Sequence, residues 1–194
     1  MKLETFAEHT IATDITSNDG MVLDVGCRIF SFSQAMTKRG FMVVALDPDP
    51  TIEAVRNGMV VFDRRALTTK RGKSRFKMHK DPQARTLDPD GEVEVETVDI
   101  QNLTDEYTDG LWEVVKLDCE GAEYEVLLNW PGPISKQVTV EFHEHIKPQS
   151  PLLYERILIH MSRWYNVIQH TKSDRHCAGQ NYWDSLFCLK EYCK

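Results

Sequence analysis

Met21-Val22-Leu23-Asp24-Val25-Gly26 and, beyond one helical stretch, Phe41-Met42-Val43-Val44-Ala45-Leu46-Asp47 are the two runs whose reading decides the fold. Each is a short, almost continuous apolar segment, too short for a core helix and rich in valine, as strands buried on both faces require. The first ends in a glycine and the second in an acid followed by Pro48. Between them, residues 31–39 have helical composition, and Gly40 is a natural helix stop. A short helix is expected over residues 51–56, closed by Gly58, before a third strand at Met59-Val60-Val61-Phe62. Strands alternating with helices imply a parallel sheet with right-handed crossovers.

Working outward, the opening residues 1–20 carry Phe6, Ile11 and Ile15 at mixed helical spacing and predict a short helical segment, with Asn18-Asp19-Gly20 as a turn. Residues 63–92 predict an irregular insertion. Glu92-Val93-Glu94-Val95-Glu96-Thr97-Val98 alternates with period two and predicts a half-exposed strand. Leu111 to Asp118 predicts another buried strand ending in an acid, residues 120–130 a helix, and Gln137 to His143 a further strand. An amphipathic helix over residues 152–164 is followed by strands at 165–168 and 185–189. Two closing strands with no helix between them predict an antiparallel hairpin. The expectation is therefore one α/β domain over residues 1–194: a three-layer, Rossmann-like fold with a mostly parallel seven-stranded sheet.

Composition narrows the function. The chain is 41% hydrophobic and 27% charged, as a soluble domain with a real core requires. Neither a leader peptide nor an apolar run of membrane-spanning length is visible, and the odd cysteines (27, 119, 177, 188, 193) lack Cys-x-x-Cys spacing, so reduced thiols in the cytoplasm are expected. A net charge of −7 argues against bulk affinity for nucleic acid. Yet Arg64, Arg65, Lys70, Arg71, Lys73, Arg75, Lys77 and Lys80 follow one another with no acid between them. This block either meets an anionic acceptor or is a solvated face balancing nearby acids.

In open α/β sheets the ligand lies beyond the carboxyl ends of the strands, and Asp24, Gly26, Asp47, Asp118, Glu141 and His143 all fall at such ends. Gly26 permits close backbone approach. Asp47 stands roughly twenty residues after the loop, where nucleotide-binding folds place an acid for the ribose hydroxyls. Asp24 and Asp47 are also suited simply to cap the following helices. On a strand Glu141, His143 and His145 share one face. With Asp118, Glu141 and His143 can serve as a base and its orienting acid, or as ligands of a divalent metal, whereas His145 is read as a loop histidine. Glu120 is a further base candidate, whereas Glu123 is the acid expected in a first helical turn.

Three segments carry a resemblance. Leu23-Asp24-Val25-Gly26-Cys27-Arg28-Ile29-Phe30-Ser31, Val115-Lys116-Leu117-Asp118-Cys119-Glu120-Gly121-Ala122-Glu123 and Val140-Glu141-Phe142-His143 resemble, in order and spacing, the FkbM family of class I methyltransferases. The second follows the family's Lys-(Ile/Leu)-Asp-x-Glu-Gly-Ala-Glu pattern. The resemblance implies O-methyl transfer from S-adenosylmethionine to a hydroxyl of a sugar-like or other small metabolite. It also implies that Asp24, Gly26, Cys27, Asp47, Pro48 and Asp118 hold the cofactor, and that Asp118, Glu120, Glu141 and His143 do the chemistry. The loop departs from the family where Phe30 replaces the usual second glycine and Arg28 replaces a small polar residue. A phenylalanine there is expected to fill space near the cofactor, and this keeps a second reading open: a degenerate methyltransferase fold that binds an anionic ligand or nucleic acid.

Overall fold

The computed structural model describes residues 1–17, 19–55, 58–81, 85–143, 151–172 and 182–193. Its main sheet has seven strands in the order β12-β13-β11-β10-β3-β4-β5. The strands are β3 (Met21–Val25), β4 (Met42–Leu46), β5 (Val60–Asp63), β10 (Val114–Leu117), β11 (Gln137–His143), β12 (Tyr165–Lys172) and β13 (Tyr182–Leu189). The five strands from β11 to β5 are parallel, while β13 runs antiparallel between β11 and β12. Mostly parallel, with a closing hairpin, this is the sheet the sequence implies. The chain leaves β3 toward β4 on one side and later leaves β10 toward β11 on the other, so the order reverses between β3 and β10. A crevice opens at such a reversal.

Both faces of the sheet are covered, which is why its strands read as unbroken apolar runs. Val22, Val43, Ala45, Val60 and Val114 pack with Phe32 and Met36 of α1 (Ser31–Thr37). Leu23, Val44, Leu46, Val115 and Leu117 pack on the other face with side chains from three helices: Leu103 of α2 (Ile100–Tyr107), Tyr124 and Leu127 of α3 (Glu123–Leu128), and Ile157 and Met161 of α4 (Pro151–Met161). Trp112 and Trp130 are fully enclosed in that second cluster.

Four sequence expectations are corrected. Residues 1–20 hold no helix among those described but a hairpin, β1 (Leu3–Phe6) against β2 (His9–Ala12). Its turn residues Ala7 and Glu8 have φ 44° and 75°, the two positive values of a type I′ turn. The described part of residues 51–56 is not helical. There Asp49 accepts from the N–H and hydroxyl of Thr51, and the Arg64 guanidinium takes the Ile52 carbonyl at 2.8 Å, a carbonyl a helix would use itself. The helix expected over residues 120–130 begins only at Glu123, because Glu120 and Gly121 have φ 51° and 97°. Finally, the stretch expected to be irregular holds three strands, β6 (Ala66–Thr68), β7 (Gly72–Lys77) and β8 (Thr86–Leu87), which join the expected strand, β9 (Val93–Asp99), in a second sheet of order β6-β9-β7-β8.

Four of the eight cations of the basic block are engaged within that second sheet or at its edge. Lys73, Arg75 and Lys77 alternate along β7 on its exposed side, and in the antiparallel register Lys73 faces Glu96 and Arg75 faces Glu94 of β9. Lys73 Nζ reaches Glu94 at 2.6 Å and Lys77 Nζ reaches Asp88 at 3.2 Å. Arg75 donates to the Gly91 carbonyl, and Arg65 lies against Asp63 and Glu106. Cross-strand pairing of opposite charges is an ordinary sheet stabiliser.

Candidate functional site

A cleft of about 770 Å³ opens over the carboxyl ends of β3, β4, β10 and β11. Its floor begins with the loop after β3. Gly26 has φ +73°, and a Cβ there would stand 1.7 Å from the Asp118 carbonyl oxygen, so this position tolerates only glycine. Phe30 also takes a left-handed conformation, φ 58° and ψ 20°, which is the backbone that the family's glycine supplies freely. Its ring is turned away from the cleft: it is buried in the cluster under α1, edge-on to Phe62 at 5.4 Å. The expectation that Phe30 crowds the cofactor side is therefore corrected. The residue exposed at the loop's tip is Ile29, 69% accessible, on the cleft's rim.

Beneath the loop lies a buried lysine. Lys116 Nζ donates to the Gly26 carbonyl at 2.8 Å and sits 3.1 Å from Asp24 and 3.2 Å from Asp118. Burial opposes its charge, but Asp118 and Asp24 outweigh that and hold it protonated. Asp24 is fully buried, and its other oxygen accepts from the Ser33 N–H at 3.0 Å and hydroxyl at 2.5 Å. Asp24 thus ties β3, α1 and Lys116 together, as the capping alternative allowed. Asp47 is buried at the end of β4, accepting from the N–H groups of Arg28 and Asp49 at 3.0 Å each. Burial pushes its carboxyl up against those two donors. Cys27 and Pro48 line the same wall, and burial raises the Cys27 thiol, leaving it uncharged and a poor nucleophile.

The other half of the floor is acidic. His143 is enclosed, with Nδ1 3.0 Å from Glu123 and Nε2 3.5 Å from both Asp118 and Glu120. Burial works against the charged ring, but these carboxylates prevail and push its pKa up to about 10. Glu123 is wholly buried and holds the loop before α3, accepting from the N–H groups of Cys119 and Gly121 at 2.8 and 2.9 Å. This is the helix-start role expected of it. Burial, with the neighbouring acids, pushes Glu120 up to about 8. Glu120 is partly exposed in the cleft, as is Asp118, while Glu141 is buried beside them. Glu141 and His143 do share the cleft-facing side of β11, and Phe142 packs on the opposite side against Tyr124 and Tyr154. His145 lies outside the described residues.

Sequence reading missed two contributors. His9, 3% exposed, enters the cleft from the β1–β2 hairpin, with Nε2 3.6 Å from Asp118 Oδ2. Nothing local marks it, because the hairpin's turn lacks the usual Asn-Gly signal. The second wall comes from the four-stranded sheet, whose Leu67, Phe76 and Leu87 give the cleft an apolar side next to Arg65, Arg85 and Thr86. Arg85 is committed to Asp49 and Thr51, and the Thr86 hydroxyl bonds the Glu120 carbonyl at 2.8 Å. No helix among the described residues is long and apolar enough to cross a membrane.

No curated protein matches the chain in sequence. Among solved structures its fold is similar to that of 1,6-didemethyltoxoflavin-N1-methyltransferase from Burkholderia thailandensis, which was solved with 1,6-didemethyltoxoflavin and S-adenosylhomocysteine. The identity is 13% and the TM-score 0.50, covering 88% of this chain and 71% of that one. The fibrillarin pre-rRNA processing protein of Methanococcus jannaschii is similar at 9% identity and a TM-score of 0.55, over 97% of this chain and 82% of that one. At such identities the likeness is one of fold alone. The family model described as the methyltransferase FkbM domain matches residues 14–167, most of the length. On that match, with the strand-end acids and glycine loop in place, the chain belongs to the FkbM family of methyltransferases.

Proposed function

We propose that this protein moves a methyl group from S-adenosylmethionine to a hydroxyl of an uncharged, sugar-like small molecule. One observation carries the reading: a glycine-only backbone position and a partly exposed acidic cluster meet in one cleft at the sheet's reversal point. The residues present suit the cofactor. Gly26 and Cys27 offer bare backbone, and Asp24 and Lys116 fix that loop from below. Asp47 has used one lone-pair site on each oxygen, which leaves acceptor capacity for two ribose hydroxyls. Pro48 and Asp118 complete this side of the cleft. When bound, S-adenosylmethionine supplies an electrophilic methyl on a sulfonium.

The chain's own work is then orientation and removal of a proton. In-line placement of the acceptor oxygen is the main demand of such a displacement. Glu120 takes the hydroxyl proton in its carboxylate form, which gains as pH rises toward about 8, because it is partly exposed in the cleft and, unlike Asp118, is not paired with Lys116. His143, clamped by Glu123, holds Glu120 and Asp118 in place. Glu141 adds negative charge at the same floor. Leu67, Phe76 and Leu87 cover the acceptor's carbon face and exclude water.

An anionic acceptor, or an anion-binding module without catalysis, is less well supported. Arg65, Lys73, Lys77 and Arg85 each already face an acid, and the floor that would receive the reacting group is itself acidic. Methyl transfer from labelled S-adenosylmethionine to neutral methyl hexosides and to hexose phosphates tests the reading. Label should enter the neutral set, and Glu120→Gln should lower kcat by about 10²–10⁴ with little change in KM. Label confined to the phosphates would refute it.

A further inference from the structure

Glu120 is held in a backbone conformation that its own side chain disfavours. Its φ is 51° and that of Gly121 is 97°, so two left-handed residues follow one another and only the second is a glycine. A residue with a Cβ is strained there and persists where its surroundings over-determine it. Here the peptide joining the two residues is gripped at both ends. Its N–H, on Gly121, donates to Glu123 Oε2 at 2.9 Å, and its carbonyl, on Glu120, accepts from the Thr86 hydroxyl at 2.8 Å. The first grip is local, within the turn that opens α3. The second is not: Thr86 belongs to β8 of the other sheet, 34 positions away.

The residue before Thr86 ties the start of the same strand to the loop after β4. Arg85 lies against the Asp49 carboxylate and donates to the Thr51 hydroxyl at 2.8 Å, and the Asp49 N–H donates to Asp47 at 3.0 Å. A continuous line of contacts therefore runs through Asp47, Asp49, Arg85, Thr86 and Glu120, all of them lining the cleft. We propose that Thr86 is a positioning residue: by fixing the Glu120–Gly121 peptide it aims the Glu120 carboxyl at the acceptor, at a distance from Asp47 that Arg85 sets. The fold itself does not ask for this hydroxyl, because a strand position takes valine as readily as threonine. A small misplacement of a reacting group costs turnover far more than binding. The use made of the carboxyl rests on the proposed methyl transfer, whereas the clamp on its peptide does not.

Thr86→Val keeps the shape and removes only the donor, and Thr86→Ser returns it. Exchange of the Gly121 amide in the full chain without ligands, followed by NMR, should be at least about tenfold faster in Thr86→Val and close to the parent's rate in Thr86→Ser. Melting temperatures show that both variants are folded. In label transfer from S-adenosylmethionine to the methyl hexosides, Thr86→Val should lower kcat at least about tenfold with little change in either KM, and Thr86→Ser should recover most of that loss. Parent-like Gly121 exchange in Thr86→Val would overturn the clamp. Fast exchange with an unchanged kcat would overturn the positioning role, and so would a serine variant as impaired as the valine one. A parent that labels no acceptor removes the methyl-transfer reading instead, and the exchange rates then decide the clamp by themselves.

Discussion

Phe30 shows how a motif can be altered without altering the site. The family's glycine is valued for its backbone, and here a phenylalanine adopts φ 58° while burying its ring under α1. A left-handed non-glycine residue costs roughly 1–2 kcal/mol, and losing a buried aromatic ring costs about 3–5 kcal/mol. Phe30→Gly should therefore lose about 1–4 kcal/mol of stability on balance, measured by urea denaturation, although it restores the family residue. A stabilised variant would mean that strain, not packing, dominates. The sequence marked the departure correctly but could not say which way the ring points, because that depends on Phe62 of β5 and the α1 cluster. Asp24, Gly26, Asp47, Asp118, Glu120, Glu141 and His143 were legible because each ends a strand or follows the Lys-Leu-Asp-x-Glu-Gly pattern. His9 was not, since its place is fixed by a tertiary contact through Gln137.

At the scale of elements, the parallel strands announced themselves as unbroken apolar runs, while the second sheet did not. Its β6 and β8 have only three and two residues, and the period-two pattern of Lys73, Arg75 and Lys77 is one of charge, with only Phe76 of β7 buried. The matching acids on β9 were visible as a strand, but the pairing between the two was not. Where this sheet joins the main one, Asp63 at the end of β5 receives Arg65 and the Tyr107 hydroxyl, with Glu106 on the far side of Arg65. Burial would raise the Asp63 carboxyl, but the Arg65 contacts prevail and hold it below the usual carboxylate range. A lowered folded pKa stabilises the fold above the unfolded value and is lost as pH falls through the folded one. Stability should accordingly drop on acidification below about pH 4, and Asp63→Asn should flatten that drop while lowering stability at neutral pH. Equal acid sensitivity in both proteins would assign the effect to other carboxylates.

For the molecule as a whole, the N-terminal hairpin closes the site. It is pinned to β11 by two buried hydrogen bonds from one glutamine, which satisfy both backbone groups of Ala12. Gln137→Ala leaves that N–H and C=O without partners at a cost of about 1–3 kcal/mol each. Hydrogen exchange should then show faster exchange in residues 9–12 with β3 and β10 still protected. Unchanged protection of the hairpin would mean that Ile11 and its apolar neighbours hold it unaided.

The central claim is that the cleft between the ends of β3 and β10 receives S-adenosylmethionine, with Asp47 on the ribose. Isothermal titration of the full chain with S-adenosylmethionine, for the parent and Asp47→Ala, tests it most directly. The account predicts one site per chain in the parent and a loss of roughly 1.5–3 kcal/mol in the variant, the worth of hydrogen bonds to a charged group. A parent that gives no heat and no shift in melting temperature, or a folded Asp47→Ala that binds as tightly as the parent, would contradict it.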